Sequence, residues 1–521
     1  MLPPRTPRSP HSPVPITRRQ LLQGIAALSG TALFSSSVLT GCASGLTSAA
    51  STPASTASPQ VTSNPQPTPA GPITQASLTV NPSTAGMIAN AFAGLSYEKS
   101  SLTEPLFTAS NAALIGLFKL LGPSVLRIGG NSVDQNIWTP NGKGQTSGQI
   151  APSDVSALAG FLKLAGWQCI YAVNLGGAAT GATTPALAAA EAAYAAQQLG
   201  PALLGVEIGN ECDNYGAGYF ADSNWSLAQF ESLWGEFRSA IVAQTPGIAL
   251  TGPASAGNEA TWTVPFAKAV TRSEISLLTQ HYYRGNGQDA TATAANLVTP
   301  DTNLPPLLST LNAGAQSIGV PYRMAECNSY FNGGATGVSD SYASALWVID
   351  FLFNCAHGGA AGVNLHGGGD YTGYTPIADD NGAVVGPRPE YYGMLLFTLA
   401  GTGTLFQTQL SAGGLNVTAY AVKTPSGGLN LIVVNKDTTQ ALELITLLPQ
   451  TATTATLIAL TQLTSGSAAP SLTATSGLAI QSAAIAPNGS FTPSAAYNLP
   501  IANSQVSCYV PALSAALIQI T

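Results

Sequence analysis

The sequence predicts an α/β protein: a (β/α)8 TIM barrel followed by a C-terminal antiparallel β-sandwich domain. Between residues 90 and 400, eight short β-type runs alternate with helical stretches, the pattern of βα units closing a parallel sheet or barrel. Eight units in about 300 residues match the usual size of such a barrel. After Leu399 the hydrophobic period changes to two, as in antiparallel strands. With 45% of its 521 residues hydrophobic and only 8% charged, the chain can fill a core of this size, and a highly charged disordered protein is excluded.

The first 42 residues read as an address. Thr17-Arg18-Arg19-Gln20-Leu21-Leu22 opens an apolar run to Leu39 that is diluted by Gly24, Gly30 and Ser35-Ser36-Ser37. This is the pattern of a twin-arginine export signal rather than a spanning helix, so a periplasmic or cell-surface location is expected. The run ends in Leu39-Thr40-Gly41-Cys42, which resembles a bacterial lipobox and would make Cys42 a lipid anchor in the membrane; an ordinary cleavage site nearby is the alternative. Residues 43–72 carry no charge and are rich in Ser, Thr, Pro and Ala, the composition of a disordered tether.

Residues 73–89 include the alternating run Ala76–Val80 and are expected to add an N-terminal strand to the β domain. The barrel, residues 90–400, has candidate strands at Phe92–Ser96, Ser124–Ile128, Cys169–Val173, Gly205–Ile208, Ala249–Thr251, Leu277–Gln280, Arg323–Ala325 and Gly362–Leu365. Helix starts lie between them, as where Thr184 precedes Pro185 and an alanine-rich run to Leu199. In residues 401–521 the runs Leu415–Val422 and Leu429–Val434 flank a Pro425-Ser426-Gly427-Gly428 turn, and Leu513–Ile520 closes the domain.

Four of the 17 basic residues, Arg5, Arg8, Arg18 and Arg19, lie in the signal, where there is no acid; the remainder has 13 basic against 24 acidic residues, formally −11. Binding nucleic acid through a general basic field is thereby disfavoured. Six cysteines without a CxxC pair provide neither a disulfide framework nor a structural metal site. No GxSxG elbow, HExxH pair or nucleotide fingerprint is present, and no metal or cofactor is expected.

Two segments carry the chemistry: Val206-Glu207-Ile208-Gly209-Asn210-Glu211-Cys212-Asp213 and Arg323-Met324-Ala325-Glu326-Cys327-Asn328-Ser329-Tyr330. Each sets a glutamate just past a predicted strand, where a barrel aims side chains into its mouth. By strand count Glu211 follows the fourth and Glu326 the seventh, which face each other. Two such carboxyls about 5–5.5 Å apart suit glycoside hydrolysis with retention. Asn210 could reach a sugar hydroxyl, while Cys212 and Cys327 should point away and pack. A strand-end glutamate that merely caps a helix is the structural alternative.

Together with Leu126-Arg127-Ile128-Gly129-Gly130-Asn131 and Gln280-His281-Tyr282-Tyr283, these segments make residues 76–521 resemble glycoside hydrolase family 79, in the clan related to heparanase, and particularly its bacterial β-glucuronidases. The resemblance implies that Glu211 is the acid/base and Glu326 the nucleophile, with Arg127 and Tyr282 keeping Glu326 ionised. Alternatively, Arg127 satisfies carbonyls inside the barrel and Tyr282 is packing. The loop after the nucleophile supplies a tyrosine and glycine amides to the sugar carboxylate in the resembled enzymes, a role carried here to Gly333, Gly334 and Tyr330. Phe331 stands where a hydroxyl is expected. The stretch from Gly367 to Tyr374 should line the same pocket through Tyr371, and Glu98 and Lys99 after strand one are further substrate-binding candidates.

The expectation is therefore a retaining exo-β-glucuronidase releasing terminal glucuronic acid from a glycan or glucuronide by double displacement. A heparanase-like endo-enzyme would want a basic groove for sulfates, which the charge balance opposes. A non-catalytic glycan-binding lipoprotein is the third possibility, because fold alone does not fix function.

Overall fold

The computed structural model describes residues 64–221, 224–369, 373–464 and 468–521. The expected export signal, Cys42, the expected tether as far as residue 63, and Tyr371 lie outside the described residues. No helix among those described is long and apolar enough to cross a membrane.

Eight parallel strands close a barrel in sequence order: Ala93–Glu98, Val125–Gly129, Gln168–Val173, Leu203–Ile208, Leu250–Ser255, Leu277–Asn286, Tyr322–Phe331 and Val363–Gly367. Each run expected from the sequence overlaps one of them. The helices around them form where local signals agree. Asn111 accepts the Leu114 N–H at the start of Ala112–Leu121. Thr184 accepts the Leu187 N–H before Pro185–Leu199, which turns Ala188, Ala192, Ala195 and Leu199 inward at helical spacing. Small side chains there let the helix lie close to the sheet, while Phe107, Phe118, Phe161 and Trp167 fill the space between the early helices and strands through edge-on and tilted contacts.

The barrel interior is polar and layered. At its amino-terminal end Arg323 is buried, bonded through Nε to Asn364 and through Nη2 to the carbonyls of Phe92 and Val363; burial without an acidic partner lowers its pKa to about 9. Satisfying interior carbonyls, one role considered for Arg127, thus falls to Arg323. One layer up, Arg127 Nε meets Glu207 Oε2 at 2.7 Å, and the Thr279 hydroxyl donates to Glu207 Oε1 at 2.8 Å. Above them lies the mouth.

The second domain is one curled sheet of eleven strands. It is not purely antiparallel: Ile73–Ile88 pairs antiparallel with Gly403–Ser411 but parallel with Ala441–Leu447. Leu429–Asn435 is buried on both faces, because Leu431 and Val433 face the sheet's own core while Ile432 and Val434 join the barrel's. The chain is bound to this domain from Asn64, whose side chain donates to Ala495 O, and Gln66 bonds Tyr509. The tether expected to run to residue 72 therefore gives way to docked chain at residue 64, where backbone groups find partners along the sheet.

Candidate active site

The mouth holds a cavity of about 560 Å³ lined by Glu98, Glu211, Asp213, Glu326 and His366, by Tyr283, Phe331, Asn332, Gly333 and Tyr374, and by the amides of Asn131, Asn214 and Asn258. Among the described residues no lysine or arginine lines it.

Glu326 reaches the mouth through a β-bulge. The register of its strand slips between Met324 and Glu326 against the sixth strand, which turns Glu326 inward and leaves Cys327 buried on the outer side. Glu211 lies beyond the end of its strand in a left-handed backbone conformation, φ 49°, with its N–H donating to Ala254 O at 2.8 Å. One carboxylate oxygen of each glutamate and Nδ1 of His281 lie within 4.8 Å of one another. Oxygens this close suit the spacing of a retaining pair, about 5–5.5 Å between carboxyl groups, better than the roughly 6.5–9.5 Å of an inverting one.

The two carboxyls occupy different environments. Glu326 is buried and accepts from Arg127 Nη1 at 2.7 Å and from the Tyr283 hydroxyl at 2.9 Å. Burial alone would push its pKa up; the positive charge of His366, His281 and Arg127 and the Tyr283 bond outweigh it and hold it far below the usual carboxylate range. Tyr283 is itself pushed up by burial and by the neighbouring carboxylates, so it stays a neutral phenol and donates. Glu211 is more exposed, and its contact is His281 Nδ1 at 3.1 Å. The same three groups each offer an atom to a cation, but both oxygens of Glu326 are already engaged, and the Arg127 charge opposes a metal there.

His366 stands between two acids, with Nε2 3.6 Å from Glu98 and Nδ1 3.8 Å from Glu326. Burial would lower its pKa, but the two carboxylates raise it above the ordinary value. Glu98 accepts from the Ser132 N–H and hydroxyl and the Asn131 N–H; burial opposes its charge, yet His366, aided by the Ser132 hydroxyl, leaves its pKa lowered.

Several expected residues occupy other places. Tyr282 points away from the mouth, donates to Asp301 Oδ2 at 2.7 Å and stacks on Phe351. Thr279, His281 and Tyr283 alternate inward along this strand, so it is Tyr283 that meets Glu326. Arg127 is fully buried and binds Glu326 and Asn210 rather than facing the cavity. Asn210 is also buried, its Oδ1 accepting from Arg127 and its Nδ2 donating to Asn131. Lys99 turns away from the mouth to pair with Glu191 at 2.5 Å.

Tyr330 is buried against Gly285, and Phe331 lines the cavity in its place. Of the glycine pair, Gly333 lines the cavity. Gly334, at φ 87°, instead makes room: a Cβ there would sit 2.7 Å from the Tyr374 nitrogen, whose N–H donates to Gly333 O at 3.1 Å. The loop after strand eight is thereby docked with Tyr374 in the cavity, a residue that sequence reasoning passed over in favour of Tyr371.

No family model matches the chain. A β-glucuronidase of Aspergillus niger is 26% identical over 321 residues, covering 54% of this chain and 58% of that protein. One of Neurospora crassa is 37% identical over 75 residues, covering 14% and 13%. Both relatives are β-glucuronidases. The matched segments span less than two thirds of either relative's own length. Among solved structures, a 4-O-α-L-rhamnosyl-β-D-glucuronidase from Fusarium oxysporum aligns with TM-score 0.70 at 18% identity, covering 85% of this chain and 99% of that one. A family 51 arabinofuranosidase from Xanthomonas axonopodis aligns with TM-score 0.62 at 14% identity, covering 86% and 100%. These structural likenesses are ones of fold, a barrel with an attached β domain.

Signals for the missed residues were present in part. His281 and Tyr283 share a face by strand alternation, which follows once Thr279 is known to point inward. His366 ends the eighth strand, where reactive groups collect. The glycine-rich stretch that ends at Tyr374 is marked in the sequence, but nothing local in it favours Tyr374 over Tyr371.

Proposed function

We propose that the protein is a retaining exo-β-glucuronidase. The carrying observation is the approach of Glu211 and Glu326 to within 4.8 Å in contrasting surroundings. Ionised Glu326 attacks the anomeric carbon as Glu211 protonates the departing glycosidic oxygen. The carbon–oxygen bond breaks, and an ester to Glu326 forms. Glu326 has then lost its charge, and Glu211, left ionised by that proton transfer, takes a proton from the water that cleaves the ester, which restores both groups. The fungal β-glucuronidase relatives support glucuronic acid as the released sugar.

With no lysine or arginine among the described residues that line the cavity, the substrate carboxylate is to be met by neutral donors, of which Tyr374, Asn332 and the Gly333 backbone are at hand, with His366 nearby. Four lining carboxylates speak against a sulfated chain as substrate, and so against a heparanase-like endo-enzyme. The set of donors holding Glu326 ionised favours an enzyme over a glycan-binding protein, which would need no such arrangement. Export by the twin-arginine route and anchoring at Cys42 complete the proposal and rest on the sequence alone.

Aryl β-glycosides differing only at C6 test it. Glucuronide turnover should exceed that of glucoside and xyloside, and a preference for either neutral sugar would overturn the substrate assignment. Glu326→Gln should abolish hydrolysis while substrate still binds.

A further inference from the structure

Beneath the acid/base lies a buried network with no part in the chemistry above. Asp134, in the loop after strand two, accepts from the Leu175 and Gly176 N–H groups after strand three, at 2.9 and 2.8 Å, and from the Tyr215 hydroxyl after strand four, at 2.5 Å. The Tyr215 oxygen in turn accepts the Asn210 N–H at 3.3 Å. Three mouth loops therefore converge on one carboxylate that is itself 6% exposed.

The loop so held needs holding. Glu211 keeps a left-handed conformation that is strained for a non-glycine residue and persists only where its surroundings impose it. Gly209, at φ 82°, supplies the space, since a Cβ there would lie 2.8 Å from the Tyr215 hydroxyl. The Tyr215 ring packs beside Phe220 and Trp225, and the Trp225 indole donates to Cys212 O at 2.8 Å, clamping the residue after Glu211. Neither Asp134 nor Tyr215 lines the cavity.

We infer that Asp134 and Tyr215 are positioning residues for the acid/base: the Asp134–Tyr215 hydrogen bond fixes the Gly209–Asn210 peptide just before Glu211, and with it the direction of the Glu211 carboxyl toward the leaving oxygen. The inference rests on the acid/base role proposed for Glu211. Its consequence is selective. A displaced general acid slows departure of poor leaving groups, which need a proton, and hardly affects good ones, which do not.

The test compares kcat/KM, which reports formation of the glycosyl ester, for a dinitrophenyl and an alkyl glycoside of the same sugar in wild type, Tyr215→Phe, Asp134→Asn and Glu211→Ala. Tyr215→Phe and Asp134→Asn should lose about tenfold or more on the alkyl substrate and several-fold less on the dinitrophenyl one, reproducing in weaker form the pattern of Glu211→Ala. Equal losses on both substrates, or no loss on either, would overturn the inference. Asp134→Asn serves where Tyr215→Phe folds poorly. If wild type ignores glucuronides but cleaves another sugar, the comparison runs on that sugar and only the glucuronide assignment falls. If Glu211→Ala itself shows no dependence on leaving group, it is the acid/base role that fails.

Discussion

Arg127 donates through Nη1 to Oε2 of Glu326 at 2.7 Å, with the guanidinium fully buried, and the same guanidinium holds Glu207 at 2.7 Å through Nε. One cation thus faces two carboxylates inside the barrel, one structural and one at the mouth. Removing it leaves Glu207 without its charge partner and Glu326 with only the histidines. Arg127→Met should lower unfolding stability by about 3–5 kcal/mol and reduce kcat/KM at least a hundredfold, as read by denaturant melts and steady-state kinetics. Arg127→Lys should recover little, because a point charge cannot make the forked contacts. A stable, active Met variant would show that the contact matters to neither folding nor catalysis.

Neighbouring tyrosines should behave oppositely. Tyr283→Phe removes a hydrogen bond to a charged oxygen and should cost about ten- to hundredfold in kcat, whereas Tyr282→Phe loses only the Asp301 contact and should stay within about threefold. If Tyr282→Phe were the damaging change, the facing of the sixth strand described above would be wrong.

The acidic limb of the pH–rate profile should report the proposed nucleophile. Glu326 has a lowered pKa, so it is ionised above that value and activity is lost as pH falls through it. His366→Gln deletes a positive neighbour, so the Glu326 pKa should rise and the acidic limb of kcat/KM should move to higher pH. A limb that stays in place or moves to lower pH contradicts the electrostatic role of His366.

Azide distinguishes the two glutamates. With Glu211→Ala it should attack the glycosyl ester and give the azide of retained configuration; with Glu326→Ala it should attack substrate directly and give the inverted one. Product configuration by NMR decides, and identical products from both variants would remove the division of roles.

Gly334→Ala should disturb a residue outside its own loop. With a Cβ 2.7 Å from the Tyr374 nitrogen and φ at 87°, the substitution should displace the Tyr374 loop and raise KM for a carboxylated sugar more than it lowers kcat. Unchanged KM would separate Tyr374 from substrate binding.

The sequence by itself determined the alternation of strands and helices, the strand inserted from the N-terminal side into the β domain, and the assignment of the two glutamates to the fourth and seventh strands, although Glu326 lies within its strand, Tyr322–Phe331, rather than just past it. These follow from local properties: hydrophobic period, cap and turn residues, and a strand count that survives errors of one or two residues. Tertiary structure alone decided which neighbour of each motif faces the mouth. The bulge before Glu326 reverses inside and outside within one strand, and an interior arginine serves either carbonyls or carboxylates according to its layer, as Arg323 and Arg127 do. Tyr374 enters the cavity because its loop docks on a glycine pair about 40 residues away in sequence, a contact that no local pattern encodes.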